Sequence, residues 1–433
     1  MASTNDVSRK PATFLLASSG APGHLLRVLD LAQQLTARGN RVLFKAKASL
    51  AADVKAVGAE HLPHERMLDV QDIGDLAQLT SLPPWMPSVP FGITMFRSIG
   101  QANNVQLARE LEPVLKREKV DCVVHDFFEL GAAWAAERAG IPWASAGNMG
   151  TVLTADELPL IFSTMPSMKP FFRFPALTHL LMGQLMPLNE ARAQLGLSPY
   201  RGRSAHLVQA AASPKLHIIM GHRGLAGDIP LRDNQLFVGP TTANSSTSRK
   251  EAPRIEPGTV IVSTTTTHAD NGLFRRVLEA VSPMNVPVLA TAAGASDVPS
   301  GLGSHIRIER YVPHDEVFPK ARALITHGGW GAVGRALYTG LPMLVIPLVG
   351  DQTLNASLVE RAGLGRYLPL EKATPERIRS ELQALLADES LRARARKVSS
   401  EIQQLKSGQV AARALEKLAF EGNVDVKSIS AAA

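Results

Sequence analysis

Residues 327–337, HGGWGAVGRAL, carry the densest chemical signal in the chain. Gly329, Gly331 and Gly334 form a G-x-G-x-x-G. Glycines at that spacing let backbone N–H groups approach a diphosphate at a helix N-terminus. RALIT (322–326) reads as a buried strand ahead of it, and MLVIPLV (343–349) as the next strand. Asp351 arrives 22 residues after Gly329, near where a dinucleotide fold keeps its ribose-binding acid. On these residues alone an NAD-dependent oxidoreductase is one reading. Three further residues follow apolar strands: His24 after ATFLLASS (12–19), Asp126 after VDCVVH (120–125) and His327 after RALIT. A histidine can take a proton from a weak nucleophile, and a carboxylate can orient its ring.

The elements that must position these residues alternate strand, helix, strand. Leu25, Val28, Leu29, Ala32 and Leu35 recur at helical spacing behind the first strand, Gly39 ends that helix, and RVLFKA resumes a strand. The unit recurs as VDCVVH, ELGAAWAAERAG and IPWASA, and again from TVIVST (259–264) to MLVIPLV. This rhythm predicts an α/β chain with two doubly wound parallel-sheet domains. The boundaries expected are 1–240 for the first domain, 241–255 for a polar linker, 256–405 for the second, and 406–433 for a C-terminal helix and a disordered tail. In open parallel sheets ligands bind at the carboxyl ends of strands, where His24, Asp126 and His327 fall. Residues 80–100 and 150–200 break the rhythm with Pro, Phe and Met, the composition of lids or pocket walls.

Four stretches in order resemble family-one glycosyltransferases, the UDP-glycosyltransferase-like enzymes of the GT-B fold. HGGWGAVGRALYTGLPMLVIPLVGDQTLNA (327–356) resembles their donor-sugar motif, ERYVPHDEVFPKA (309–321) their base-binding segment, GAPGHLLRVLDLAQQLTARGNRV (20–42) their acceptor motif, and CVVHDFFELGAAWAAERAGIPW (122–143) the strand bearing their catalytic aspartate. The resemblance implies an inverting hexosyl transfer from a UDP- or dTDP-linked sugar to a hydroxyl of an apolar small molecule. In it His24 is the base and Asp126 its orienting partner. It implies donor contacts from Ser263, Thr264, Tyr311, Val312, His314, His327, Gly329, Trp330, Gly331, Ala332, Asp351 and Gln352. Trp85, Phe91, Phe127, Phe171 and Phe172 are the aromatic residues expected around the acceptor. No D-x-D occurs in the chain, so neither a metal ligand set nor a cofactor is expected; the nucleotide diphosphate sugar is a co-substrate. A non-catalytic nucleotide-sugar-binding protein is a further alternative.

The sequence departs from the pattern at particular places. Gly331 and Ala332 replace an Asn-Ser pair, leaving backbone donors. Arg335 stands where a glutamate often accepts from a ribose, and arginine cannot accept a hydrogen bond. It is open to pair with a phosphate or to face solvent. Arg27 stands where the acceptor motif has a proline, which bears on the loop rather than on the base.

Totals exclude other classes. Forty-six Lys and Arg against 39 Asp and Glu give a net charge of +7, scattered without a block. A nucleic-acid partner is not expected from that pattern. No stretch reaches the roughly 18 apolar residues of a membrane span, so no stable membrane insertion is expected; the basic-apolar run at 167–186 leaves a peripheral membrane contact open. The single cysteine, Cys122, reads as an inert core thiol. A cytoplasmic monomer or weak homodimer is expected.

Overall fold

The computed structural model describes residues 10–20, 22–64, 103–152, 187–201, 210–227, 229–240, 253–264, 272–292, 298–348, 351–405 and 407–431. Their strands are β1 Thr13–Ala17, β2 Arg41–Ala46, β3 Glu60–Pro63, β4 Cys122–Asp126, β5 Trp143–Gly147, β6 His217–Ile219 and β7 Gln235–Phe237, then β8 Val260–Ser263, β9 Val288–Thr291, β10 Ile306–Glu309, β11 Ala323–Thr326, β12 Met343–Val345 and β13 Gly365–Tyr367. Their helices are α1 Pro22–Ala37, α2 Ala51–Ala56, α3 Asn103–Arg117, α4 Leu130–Ala139, α5 Leu188–Gln194, α6 Leu273–Val281, α7 His314–Val317, α8 Trp330–Thr339, α9 Gln352–Arg361, α10 Pro375–Ala387, α11 Glu389–Gln404, α12 Ser407–Glu421 and α13 Val426–Ala431.

The strands make two sheets, ordered β3-β2-β1-β4-β5-β6-β7 and β10-β9-β8-β11-β12-β13, and every described pairing is parallel. Strands buried on both faces need continuous apolar runs, and β1 (TFLLA) and β8 (VIVS) supply them. In both sheets the chain reverses its winding at one point. The first sheet does so between β1 and β4, with Ala17 beside His125, and the second between β8 and β11, with Thr326 beside Ser263. A crevice opens at the carboxyl ends of the strands where winding reverses.

The predicted helical stripe is real: Leu25, Val28, Leu29, Ala32 and Leu35 of α1 are buried against β1, β2 and β4. Cys122 lies in the same core, where burial, then Asp121, pushes its thiol pKa up. Val410, Ala411, Ala414, Leu415 and Leu418 of α12 complete that core from the far end of the chain. Arg38 and Asn40 anchor α12 through Glu416, at 2.8 Å each. The disordered tail expected within 406–433 is corrected here: residues 426–431 form α13, because Val424 and Val426 are buried against the first core.

Candidate active site

Pro22 begins α1, a position where its missing N–H costs nothing. Two residues later His24 is a quarter exposed, and its Nδ1 lies 2.6 Å from Asp126 Oδ2. Asp126 ends β4 and is fully buried. Burial alone would raise its carboxyl pKa, but His24 and Arg27 outweigh that and hold it at about 2. An ionised carboxylate only accepts hydrogen bonds. In the tautomer whose Nδ1 donates to Asp126, the Nε2 carries the lone pair. Phe128 packs its ring against His24 at 4.8 Å, and Phe127 meets Phe128 edge-on at 5.0 Å.

Arg27, three residues along the same helix face, is buried. Its Nη2 lies 2.7 Å from His24 Nδ1 and 3.2 Å from Asp126 Oδ1. Sequence reasoning assigned this residue to the loop's shape; the structure puts it inside the dyad. Phe128 and Asn148 were also missed. Asn148 follows β5 at its carboxyl end, the same kind of position that singled out His24 and Asp126.

In the second sheet, Gly328 adopts φ +88°, and a Cβ there would meet Val345 Cγ1 at 2.7 Å and the Gln352 carbonyl at 3.1 Å. This turn opens α8 with Gly329 as its N-terminal cap and no side chain bonded across it. Beside Gly331 there is open space where a side chain would stand. Free N–H groups at such an end attract anions. The His327 ring lies against Gly329 with its Nδ1 unpartnered. Burial lowers the His327 pKa, with the Ser263 backbone and Asp351 pulling the other way. Ser263 ends β8, and the buried Thr264 hydroxyl beside it has no partner. The Asn355 amide holds the Gly328 carbonyl at 2.9 Å, and Gln352 Oε1 accepts from the Leu348 N–H at 2.8 Å.

Upstream, Tyr311 is exposed while Val312 is buried. His314 stacks on Phe318 at 4.4 Å, and burial followed by Arg335 lowers its pKa to about 3. The solvent-facing alternative for Arg335 is corrected: it is buried, and its Nε lies 2.7 Å from Asp315 Oδ1. Trp330 directs its indole N–H to the Met220 carbonyl at 2.8 Å, so its ring ties α8 to the first sheet. Ala332 is buried one turn into α8. Asp351 Oδ2 accepts from Asn148 Nδ2 at 3.2 Å, again joining the carboxyl ends of the two sheets. Of the expected acceptor residues only Phe127 is among the described residues; Trp85, Phe91, Phe171 and Phe172 lie outside them. The oxidoreductase alternative loses its footing here, because Asp351 precedes α9 instead of ending β12 and bonds to the opposite sheet.

One parallel sheet carries a histidine–carboxylate pair at its switch point. A second carries a glycine-opened helix at its own, and the two meet across their strand ends. The fold is GT-B. Residues 275–418 match the family model described as Erythromycin biosynthesis protein CIII-like, C-terminal domain. Among curated relatives, the 4'-demethylrebeccamycin synthase of Lentzea aerocolonigenes is 25% identical over 410 residues, covering 90% of this chain and 95% of that one. The oleandomycin glycosyltransferase of Streptomyces antibioticus is 24% identical, covering 91% and 88%. Among solved structures, the glycosyltransferase VinC in complex with dTDP superposes with a TM-score of 0.66 at 19% identity, covering 95% of this chain and all of that one. Over nine-tenths of its length the chain is thus similar to natural-product glycosyltransferases, and residues 275–418 resemble an EryCIII-like C-terminal domain; it is a glycosyltransferase of the natural-product type that takes its sugar from a nucleotide sugar.

Proposed function

We propose that this enzyme moves a hexose from a UDP- or dTDP-linked donor to a hydroxyl of an apolar small molecule, with inversion at the anomeric carbon. The observation that carries the reading is the 2.6 Å contact between His24 and Asp126 at the first switch point. Asp126 fixes the tautomer and leaves His24 Nε2 to take the acceptor's proton. The acceptor oxygen attacks the anomeric carbon on the face opposite the diphosphate, whose bond electrons leave with it. The N–H groups at the start of α8, helped by His327, receive the charge that develops there. Gly329, Gly331 and Ala332 allow the close approach, with Ser263 and Thr264 alongside. Tyr311 and the Val312 backbone are the surfaces for the base, while Asp351 and Gln352 hold sugar hydroxyls. Phe127, beside Phe128 and His24, is one wall of the acceptor pocket. The dTDP held by VinC and the oleandomycin for which the Streptomyces antibioticus relative is named support a nucleoside diphosphate sugar as donor and an apolar natural product as acceptor here. No helix among the described residues is long and apolar enough to cross a membrane.

Replacing His24 with Ala tests the mechanism. Transfer to a hydroxyl should fall by roughly a hundred- to ten-thousandfold, the range general-base removal produces. Affinity for UDP or dTDP should barely change, because that ligand binds the other sheet. A variant that transfers at the wild-type rate would sink the assignment.

A further inference from the structure

The dyad carries a third charged member that the general-base reading does not require. In an isolated histidine–carboxylate pair, taking up the acceptor's proton turns a net negative site into a neutral one, which burial favours. Here Arg27 Nη2 lies 2.7 Å from His24 Nδ1 and 3.2 Å from Asp126 Oδ1, and both Arg27 and Asp126 are buried. The site is therefore neutral before the reaction and positive after it. Asp126 cannot spend its whole charge on the imidazolium, because its Oδ1 faces the guanidinium. Arg27 also has Nε and Nη1 without hydrogen-bond partners, so its charge is poorly dispersed onto other groups. Asp30 lies one turn further along α1, and His125 and Glu129 flank Asp126 in the chain. His217 on β6 is held neutral by burial, with Arg27 among the charges acting on it.

We propose that Arg27 sets the acceptor class: by opposing positive charge on His24 it restricts efficient transfer to acidic hydroxyls, phenolic or enolic, over aliphatic alcohols. This rests on His24 being the base. In the step, the O–H bond breaks and its proton goes to His24 Nε2. The acceptor oxygen forms its bond to the anomeric carbon, and the electron pair of the carbon–diphosphate bond leaves with the diphosphate. An acidic acceptor gives up its proton with little help from the base. An aliphatic alcohol needs a strong imidazolium-forming partner, which a neighbouring cation weakens. Arg27 is thus a positioning residue that acts through His24 and Asp126.

The test compares a naphthol with a naphthylmethanol, and a series of ring-substituted phenols, as acceptors for the intact enzyme. The wild type should favour the naphthol by about a hundredfold or more in kcat, within the range over which help from a general base acts. Arg27→Met should shrink that ratio to below about tenfold, and Arg27→Lys should restore most of it, since lysine keeps the charge. A flat response across the acceptor series in the wild type overturns the proposal without any variant, which covers the case in which Arg27→Met fails to fold. A lysine variant as unselective as the methionine variant also overturns it. His24→Ala separates the two levels. If that variant keeps full activity, the base reading fails. If it is inactive while the wild type is unselective, only the role of Arg27 fails.

Discussion

At the scale of residues, Arg335 forms a buried ion pair at a position where the proposed donor site would otherwise carry an acceptor. Its guanidinium is occupied by Asp315, 20 residues earlier, and the position has no acceptor for a ribose hydroxyl. The enzyme should therefore depend weakly on the ribose 2'-hydroxyl. Catalytic efficiencies with UDP-glucose and dTDP-glucose are expected to lie within about tenfold of each other, because the missing contact is worth roughly one hydrogen bond. A preference of many hundredfold for UDP-glucose would contradict this. His24 and Asp126 were legible because one opens the helix after β1 and the other ends β4, and strand ends at switch points are where parallel sheets place ligands. Arg27 was not legible. A lone arginine on a helix usually covers a solvated face, and only the fold reveals that β4 brings a buried carboxylate to it. The Asp315 partner of Arg335 was not legible for the same reason, since it sits on a different element.

Elements were the most readable level, because apolar runs and helical stripes depend on the local chain. The repeats of strand, helix and strand correspond to β1–α1–β2, β4–α4–β5 and β11–α8–β12. Less legible was the C-terminal region. The polar run NVDVKSIS offers little periodicity, and its Val424 and Val426 find a core only because α12 has already crossed to the first sheet. Within the elements, the turn into α8 is the most constrained. Its Gly328 holds φ +88° with Val345 Cγ1 and the Gln352 carbonyl against the missing Cβ. A left-handed conformation costs a side-chain-bearing residue roughly 1–2 kcal/mol, and forcing a methyl into filled space costs roughly 1–3 kcal/mol more. Gly328→Ala should lower the denaturant midpoint. It should also weaken UDP or dTDP binding by at least about tenfold, since the displaced turn aims the α8 N–H groups. Calorimetric titration that finds wild-type affinity would show that the turn tolerates the methyl.

Across the whole molecule, sequence patterns were silent about how the two sheets face each other, since those contacts join residues far apart in the chain. Three observations define that arrangement. Asn148 bonds to Asp351, the Trp330 indole bonds to the Met220 carbonyl, and Gly334 has no room for a Cβ because Pro240 lies 2.9 Å away. The resemblance implies a donor contact for Trp330; in the structure its indole N–H also joins α8 to the segment after β6. Trp330→Phe keeps an aromatic ring against Gly221 but leaves the buried Met220 carbonyl without its donor. Such an orphaned acceptor costs about 1–3 kcal/mol. Trp330 packs in the hydrophobic cluster that spans both halves, with Met149 and Ile219 on one side and Leu324 and Val333 on the other, so the cost falls on the packing between them. Free energy lost from that arrangement must be recovered each time donor and acceptor are brought together, so kcat/KM for the donor should fall roughly tenfold for each 1.4 kcal/mol. Far-ultraviolet circular dichroism should stay unchanged, because β1, β8 and their helices keep their own cores. If the variant shows unchanged kcat/KM, the indole bond plays no part in joining the sheets. If instead it loses its secondary structure, Trp330 belongs to a core rather than to the joint.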